Sequence, residues 1–353
     1  FIIIGAGISA CTFALFLNKR FPNSSILLVE HGRRLGGRAT TRKSRKNIIL
    51  GFDHGLPSIS FNNNISQDTL TLVSPLIKSK KLIEITNNIL LINEFGDIVE
   101  KSTNQIIYRS LPYMINFSEE IINQSINPKK IEFLYQTLVK SIVRTNKLWE
   151  IKINHGRLIK SKNLVLSSSL LAHPRCLEIL NINSLPLRDA FKIGEDEIVD
   201  SLLSKLVKQE YIKRKNYIMY VSNTEIVKAF GHNYLQLYFS KFIIDECNIE
   251  RAIFQCQSDG SMIIVLHCSY TYSYLFVNFE VIIENLLNIV FKHKKIFDLF
   301  LHAKLIDVMD WRASQPINYF LPKELQWSSK SNIGFCGDWF DFGNCGRVES
   351  AIN

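Results

Sequence analysis

The sequence has no CxxC pair, no second glycine-rich dinucleotide turn, no internal repeat and no low-complexity tract. Its seven cysteines are odd in number and irregularly spaced, which argues against a secreted disulfide framework, a zinc ribbon or a dithiol flavin reductase. We therefore expect no metal site and a reducing, cytoplasmic setting. A charged tail is also missing: the net charge is +10, but the cations are spread along the chain. That spread argues against a nucleic-acid or membrane partner. The one dense basic run holds Arg33, Arg34, Arg38, Arg42, Lys43, Arg45 and Lys46, and its outer members read as a solvated loop. Beyond the opening stretch Phe1 to Leu17, no segment of membrane-spanning length is free of charge. That opening imitates a signal peptide, but Gly5 and Gly7 on a strand-turn-helix pattern account for it better. The chain begins at Phe1 and stops just after Ala351, so natural ends beyond both are expected.

What is present is the composition of a globular protein, with 46% apolar and 21% charged residues. The 353 residues are about twice a common domain length, which favours two joined domains. Phe1 to Ile4 reads as a buried strand, Ile8 to Lys19 as a helix and Ser25 to Glu30 as a second strand ending in an acid, together one βαβ unit. Ile131 to Thr145, Trp149 to Asn154, Leu158 to Ser161 and Asn163 to Ser167 have strand character, with His155-Gly156 as a hairpin turn. Glu280 to Phe291 has the apolar spacing of a core-facing helix, and Lys304 to Met309 and Ile333 to Cys336 return to strand character. With no linker to separate them, the second domain is expected as an insertion within the first.

The chemistry begins at Gly5-Ala6-Gly7-Ile8-Ser9-Ala10. The glycines permit a tight turn and let a pyrophosphate approach the backbone at a helix start, and Ala10 keeps the third small position. Glu30, twenty residues after Ala10, is placed to accept hydrogen bonds from both hydroxyls of a ribose. Alone, such a turn is weak evidence; the acid at that spacing strengthens it. Gly36-Gly37 would let the chain pass close to the cofactor, while Arg38 supplies charge for the diphosphate. A GGR at this place favours FAD over NAD.

These motifs, with Asp53-His54-Gly55, Tyr108 to Met114, Trp149 and the strand into 164–169, Trp311 to Pro316, Gly337-Asp338-Trp339 and Gly346 to Ala351, carry a resemblance. The sequence resembles the renalase-like FAD-dependent oxidoreductases of the amine oxidase superfamily, essentially end to end. The resemblance implies non-covalent FAD lined by Gly5, Gly7, Ser9, Ala10, Glu30, His31, Gly36, Gly37, Arg38, His54, Val139, Gly337, Asp338, Arg347 and Val348. Gly346 to Ile352 begins, in the family, a helix whose N-terminus faces the flavin N1 and C2 carbonyl, where reduction builds negative charge. Asp338 would bond the ribitol chain. Departures fall on the substrate side: Leu56-Pro57-Ser58 follows the histidine motif, Ser110 and Leu111 replace small residues, Asp310 replaces a basic one and Ser350 a glycine.

No general base stands out. Arg312 has two readings, orienting substrate or flavin, or pairing with Glu349 or another acid. His54 reads equally as a structural histidine beside Asp53 and as a catalytic one, while Cys336 and Cys345 read as packing thiols rather than tethers. The expected architecture is α/β: a Rossmann-like FAD-binding domain (1–61, 125–175, 304–353) with an inserted α+β substrate domain (62–124, 176–303) on a mixed or antiparallel sheet. The implied activity is hydride transfer from a small-molecule substrate, a dihydronicotinamide isomer or an amine, with oxygen as electron acceptor. A carotenoid-type desaturase or isomerase and a flavin-binding module without turnover are the alternatives.

Overall fold

A computed structural model describes residues 1–43, 50–61, 65–145, 147–269, 278–340 and 348–353, and of His155 the backbone alone. Short β-branched and leucine-rich runs form its first sheet. The runs III, ILLV and LVL are apolar at every position, the pattern of strands covered on both faces. The six strands lie in the order Ile131–Leu134, Ile26–Val29, Ile2–Ile4, Leu164–Leu166, Ile333–Phe335 and Trp327–Ser328. All neighbours are parallel except the last pair. The opening helix Ile8–Arg20 connects two adjacent parallel strands, which makes the expected βαβ unit.

Each face of this sheet has its own core. On one, the opening helix packs with helices Gln67–Lys78, Ile115–Asn123 and Val348–Ile352 through Leu15, Leu72, Phe117 and Val348. On the other lies an antiparallel sheet, Ser141–Thr145, Leu148–Lys152 and Leu158–Ser161, whose Trp149 is fully buried and donates Nε1–H to the Ser331 carbonyl at 3.0 Å. Helix Glu197–Leu206 closes this core through Val199, Leu202 and Leu206. Its cap, Asp196, accepts from two backbone amides and from the hydroxyls of Ser328 and Ser331.

The second large sheet has seven strands in the order Lys304–Pro316, Tyr211–Val221, Met262–Cys268, Ile249–Cys256, Tyr234–Phe239, Ile89–Ile92 and Ile98–Glu100. It is mixed, because Tyr234–Phe239 and Ile89–Ile92 run parallel while the other pairs are antiparallel. Helices Thr224–Phe230, Lys241–Cys247, Phe279–Val290 and Lys294–His302 cover its outer face with an apolar core. The inner face packs Ile89, Ile218, Ile253, Ile263 and Val265 against Phe52 and Ile85.

The fold is thus the expected α/β arrangement of a Rossmann-like domain and a second, sheet-based unit. The packing crosses the sequence boundaries in two places. The helices Cys176–Leu180 and Glu197–Leu206, read as substrate domain, bury their apolar sides under the six-stranded sheet. Lys304–Pro316, read as the closing nucleotide segment, pairs along Tyr211–Val221 as the edge strand of the seven-stranded sheet. The stretch Ile131 to Thr145 divides into two strands of different sheets rather than one run. No helix among the described residues is long and apolar enough to cross a membrane.

Trp149 touches both the antiparallel sheet and the Ser331 turn, so its removal leaves a large cavity and an unpaired carbonyl. Trp149→Ala should lower unfolding stability by about 3–5 kcal/mol, read from urea midpoints at unchanged slope.

Candidate functional site

The opening strand ends in Gly5 at φ +106, where a Cβ would stand 2.3 Å from the Ser167 hydroxyl. No larger residue fits that turn. The helix that follows starts with Gly7 as cap, without a side-chain cap and without an acid in its first turn. Its first amides therefore keep their hydrogen-bonding capacity at the positive end of the helix dipole, the arrangement an anionic phosphate needs.

Glu30 is aimed at this turn by two backbone bonds. Its Oε2 accepts from the Ala6 amide at 2.8 Å and its Oε1 from the Gly32 amide at 2.6 Å. A carboxylate offers about four acceptor sites, so two backbone partners leave capacity for two hydroxyls. The second glycine loop lies directly on the first: the Gly36 amide donates to the Ala6 carbonyl at 2.7 Å, and a Cβ on Gly37 would come within 3.1 Å of Gly7 Cα.

Arg38 then leaves this loop and joins three motifs. Its Nη2 pairs with Asp338 Oδ1 at 2.8 Å, and its Nη1 donates to the Ser314 carbonyl at 2.5 Å. Asp338 follows Gly337, whose φ of +141 turns the chain at the end of strand Ile333–Phe335. The Arg38 carbonyl accepts from the Leu56 amide, and a Cβ on Gly55 would lie 2.3 Å from that oxygen and 2.9 Å from the Trp311 ring. His54 stacks on Trp311 with centroids 5.4 Å apart. Trp311 Nε1, Ser314 Oγ and His54 Nδ1 are buried here without a hydrogen-bond partner. The residues present fit a dinucleotide: a side-chain-free double turn, an uncapped helix start, an acid at the strand end and orphaned polar atoms beyond.

Of the other expected residues, Ser9, Ala10 and Val348 are buried beside the opening helix, Val139 is buried in the core under the sheet, and His31 is exposed. The segment before Val139 is held at the strand end, since the Thr137 amide donates to the Glu30 carbonyl. Gly346, Arg347 and Cys345 lie outside the described residues, as do Arg45 and Lys46. Arg312 is exposed and forms no ion pair among the described residues, while Glu349 is buried.

One hub was not read from the sequence. Asp53, 1% exposed, accepts from Thr41 Oγ1 at 2.6 Å, the Met114 amide at 3.0 Å and Arg109 Nη2 at 3.3 Å, while its own amide donates to Gln255. It joins two motifs, at 53–55 and 108–114, whose relation no local pattern reveals. Beside it, burial lowers the His54 pKa to about 4, with Arg42 adding to the effect, so the ring is neutral at pH 7. Burial pushes the Cys336 thiol up to about 12, which removes its nucleophilic thiolate near neutrality. The six described cysteines are all free thiols.

Residues 3–73 match the family profile described as an NAD(P)-binding Rossmann-like domain. No curated protein matches the chain. Among solved structures, the chain is similar to a candidate protoporphyrinogen oxidase from Exiguobacterium sp. 255-15, with a TM-score of 0.60 and 10% identity over 99% of this chain and 95% of that one. A CLA-producing fatty acid isomerase from P. acnes gives the same values. At this identity the likeness is one of fold, and it extends over both large sheets.

The neutral His54 sets a pH dependence. Its pKa is near 6.5 in an unfolded chain and about 4 when folded, so the unfolded state binds the extra proton first. Stability from this group is complete above pH ~6.5 and is lost as the pH falls toward 4. The full loss is about 3 kcal/mol by the conversion of pKa shift to free energy. Denaturant titrations across this range should show the decline, and His54→Phe should reduce it, leaving the part due to His267, whose pKa burial and then Arg251 also lower.

Proposed function

We propose that the chain is an FAD-dependent oxidoreductase, renalase-like in its substrate chemistry, that takes a hydride from a small reduced substrate and passes the electrons to oxygen. The observation that carries this reading is the continuous path of matched groups from Glu30 through the paired glycine loops to Arg38 and Asp338. An NAD half-site ends at the diphosphate; this path goes on to a second sheet strand and to the roofing residues Trp311 and Ser314. Glu30 would hold the adenosine ribose, the glycine turn and helix start the diphosphate, and Asp338 the ribitol chain. Arg38 would balance phosphate charge while Asp338 fixes its direction. FAD would supply a two-electron acceptor when bound.

The residues around that group orient and exclude rather than trade protons. His54, neutral and stacked, presents a flat wall with Trp311, and the aliphatic side chains Ile218, Ile253, Ile263 and Val265 of the seven-stranded sheet help keep water away. Hydride transfer depends on close placement more than on an acid or base. The cofactor half is the six-stranded sheet with its two cores, and the substrate half is the seven-stranded sheet. The odd, irregularly spaced cysteines of the sequence support a non-covalent cofactor and a reducing, cytoplasmic setting. The substrate class favoured is a dihydronicotinamide isomer or an amine.

Glu30→Gln keeps the side-chain shape but loses one acceptor and the charge. Hydrogen bonds to charged groups contribute roughly 1.5–3 kcal/mol each, so FAD should bind at least about tenfold more weakly. Fluorescence titration of the apoprotein reads this directly. Unchanged affinity would reduce Glu30 to a strand-end acid that organises the turn.

Electron flow gives a second check. With no second dinucleotide turn, ordinary NADPH must enter the substrate cavity unaided and should bleach the flavin slowly. A dihydronicotinamide isomer, or failing that a neutral amine, should bleach it faster and yield hydrogen peroxide when oxygen returns. Fast, saturable bleaching by NADPH alone in stopped-flow traces would turn the reading into a conventional reductase.

A further inference from the structure

Polar side chains on the inner face of the seven-stranded sheet include Gln236, bonded to Tyr234, and Gln255, bonded to Asp53, and beside them runs one transverse polar row. Strand register places Tyr238 beside Arg251, Arg251 beside His267, His267 beside Asn216 and Asn216 beside Met309. Two residues along the strands, the same face reads Gln236, Ile253, Val265 and Ile218. A polar row inside such a face needs partners, and Arg251 has only neutral ones. Its Nε donates to His267 Nδ1 at 3.1 Å and its Nη1 to the Tyr238 hydroxyl at 2.6 Å.

The adjacent carboxylate, Glu250, is engaged by Arg214 Nη1 at 2.5 Å, and no carboxylate among the described residues lies within ion-pair distance of Arg251. A second cation sits on the same aromatic ring: Lys101 Nζ is 4.5 Å from the Tyr238 centroid, and the Arg251 guanidinium carbon is 5.3 Å from it. Lys101 likewise forms no ion pair among the described residues. Two partly buried cations gathered on one phenol, with Glu250 bound to Arg214 and acting on Arg251 only from beyond ion-pair distance, are a costly arrangement that an anion would relieve.

The other end of the row reaches the candidate site. Asn216 Nδ2 donates to the His54 carbonyl at 2.5 Å, and His54 stacks on Trp311. Asn216 Oδ1 and His54 Nδ1 are both without partners, in side chains 1% and 2% exposed. The row therefore runs from two cations without a direct ion pair among the described residues to unpartnered polar atoms beside the glycine loops.

We propose that this row is an anion-binding subsite, in which Arg251, held by Tyr238 and His267 and supported by Lys101, takes a carboxylate or phosphate of the substrate. The rest of that ligand would extend along Asn216 toward His54. The inference rests on the oxidoreductase reading only for calling the ligand a substrate; the subsite itself is a property of the sheet.

The test titrates the purified protein, with whatever flavin it carries, with benzoate, phenyl phosphate and neutral benzamide. Calorimetry reads binding and the visible spectrum reads flavin content. At least one anion should bind, benzamide should bind far more weakly, and Arg251→Gln should weaken the anion by about thirtyfold or more at unchanged flavin content. Arg251→Lys should recover part of the loss, and Tyr238→Phe should cost several-fold. Tighter benzoate assigns a carboxylate, and tighter phenyl phosphate a phosphate. Equal anion affinity in wild type and Arg251→Gln, benzamide binding as well as benzoate, or no binding of either anion would overturn the proposal. If Arg251→Gln does not fold, unchanged affinity in both Arg251→Lys and Tyr238→Phe overturns it equally. A protein without flavin that still binds the anion through Arg251 would remove the oxidoreductase reading and leave the subsite standing.

Discussion

The close approach of two glycines is the contact on which the rest of the site depends. A Cβ on Gly37 would be 3.1 Å from Gly7 Cα, so the second loop can lie on the first only while both positions lack side chains. That contact fixes where Arg38 leaves the loop. Arg38 in turn bonds Ser314, on the edge strand of the seven-stranded sheet, and Asp338, on a turn of the six-stranded sheet. One side chain thus spans the two halves of the molecule. The geometry of the nucleotide turn and the seating of the substrate half are consequently a single constraint, since displacing the glycine loop would also shift the strand that carries Trp311.

Asp53 makes a second tie of the same kind. It is buried with Thr41, Met114 and Arg109 around its carboxylate and Gln255 on its backbone, so residues from four separate segments meet at one acid. Burying a carboxylate is costly unless its lone pairs are filled, and here three donors fill them. Removing any single donor would strand charge in the interior. Such sites hold chain segments together by the penalty of separating them rather than by strong net attraction.

The parts legible in the sequence are those whose physics is local. A glycine turn, an acid at the end of the next strand and a GGR following it are set by a few neighbouring residues, and the structure brings them into contact. The opening helix and the strands around Leu158–Ser161 and Leu164–Leu166 were likewise readable from apolar runs and turn residues. The row of Asn216, Tyr238, Arg251 and His267 was not. These residues are brought together by strand register, which depends on bulges and on distant partners and leaves no trace in any short window. The pairing of Lys304–Pro316 with Tyr211–Val221 was hidden for the same reason, since its strand character is evident but its partner is not.

Backbone bonding explains where the departures from the renalase-like pattern that the sequence resembles can be tolerated. Leu56 meets Arg38 through its backbone amide, Pro57 offers its carbonyl to the Tyr234 hydroxyl at 2.8 Å, and Ser110 is buried with its hydroxyl on the Lys81 carbonyl. At 56 and 57 the chain uses main-chain groups, which any side chain supplies, so the loop position is kept while the residue identity changes. Ser110 turns its polar atom to a local carbonyl and presents no free group to a ligand. The substitutions therefore leave the glycine loops and Arg38 undisturbed. What distinguishes the seven-stranded sheet must then reside in side chains that do face inward, among them the polar row of Tyr238, Arg251, His267 and Asn216.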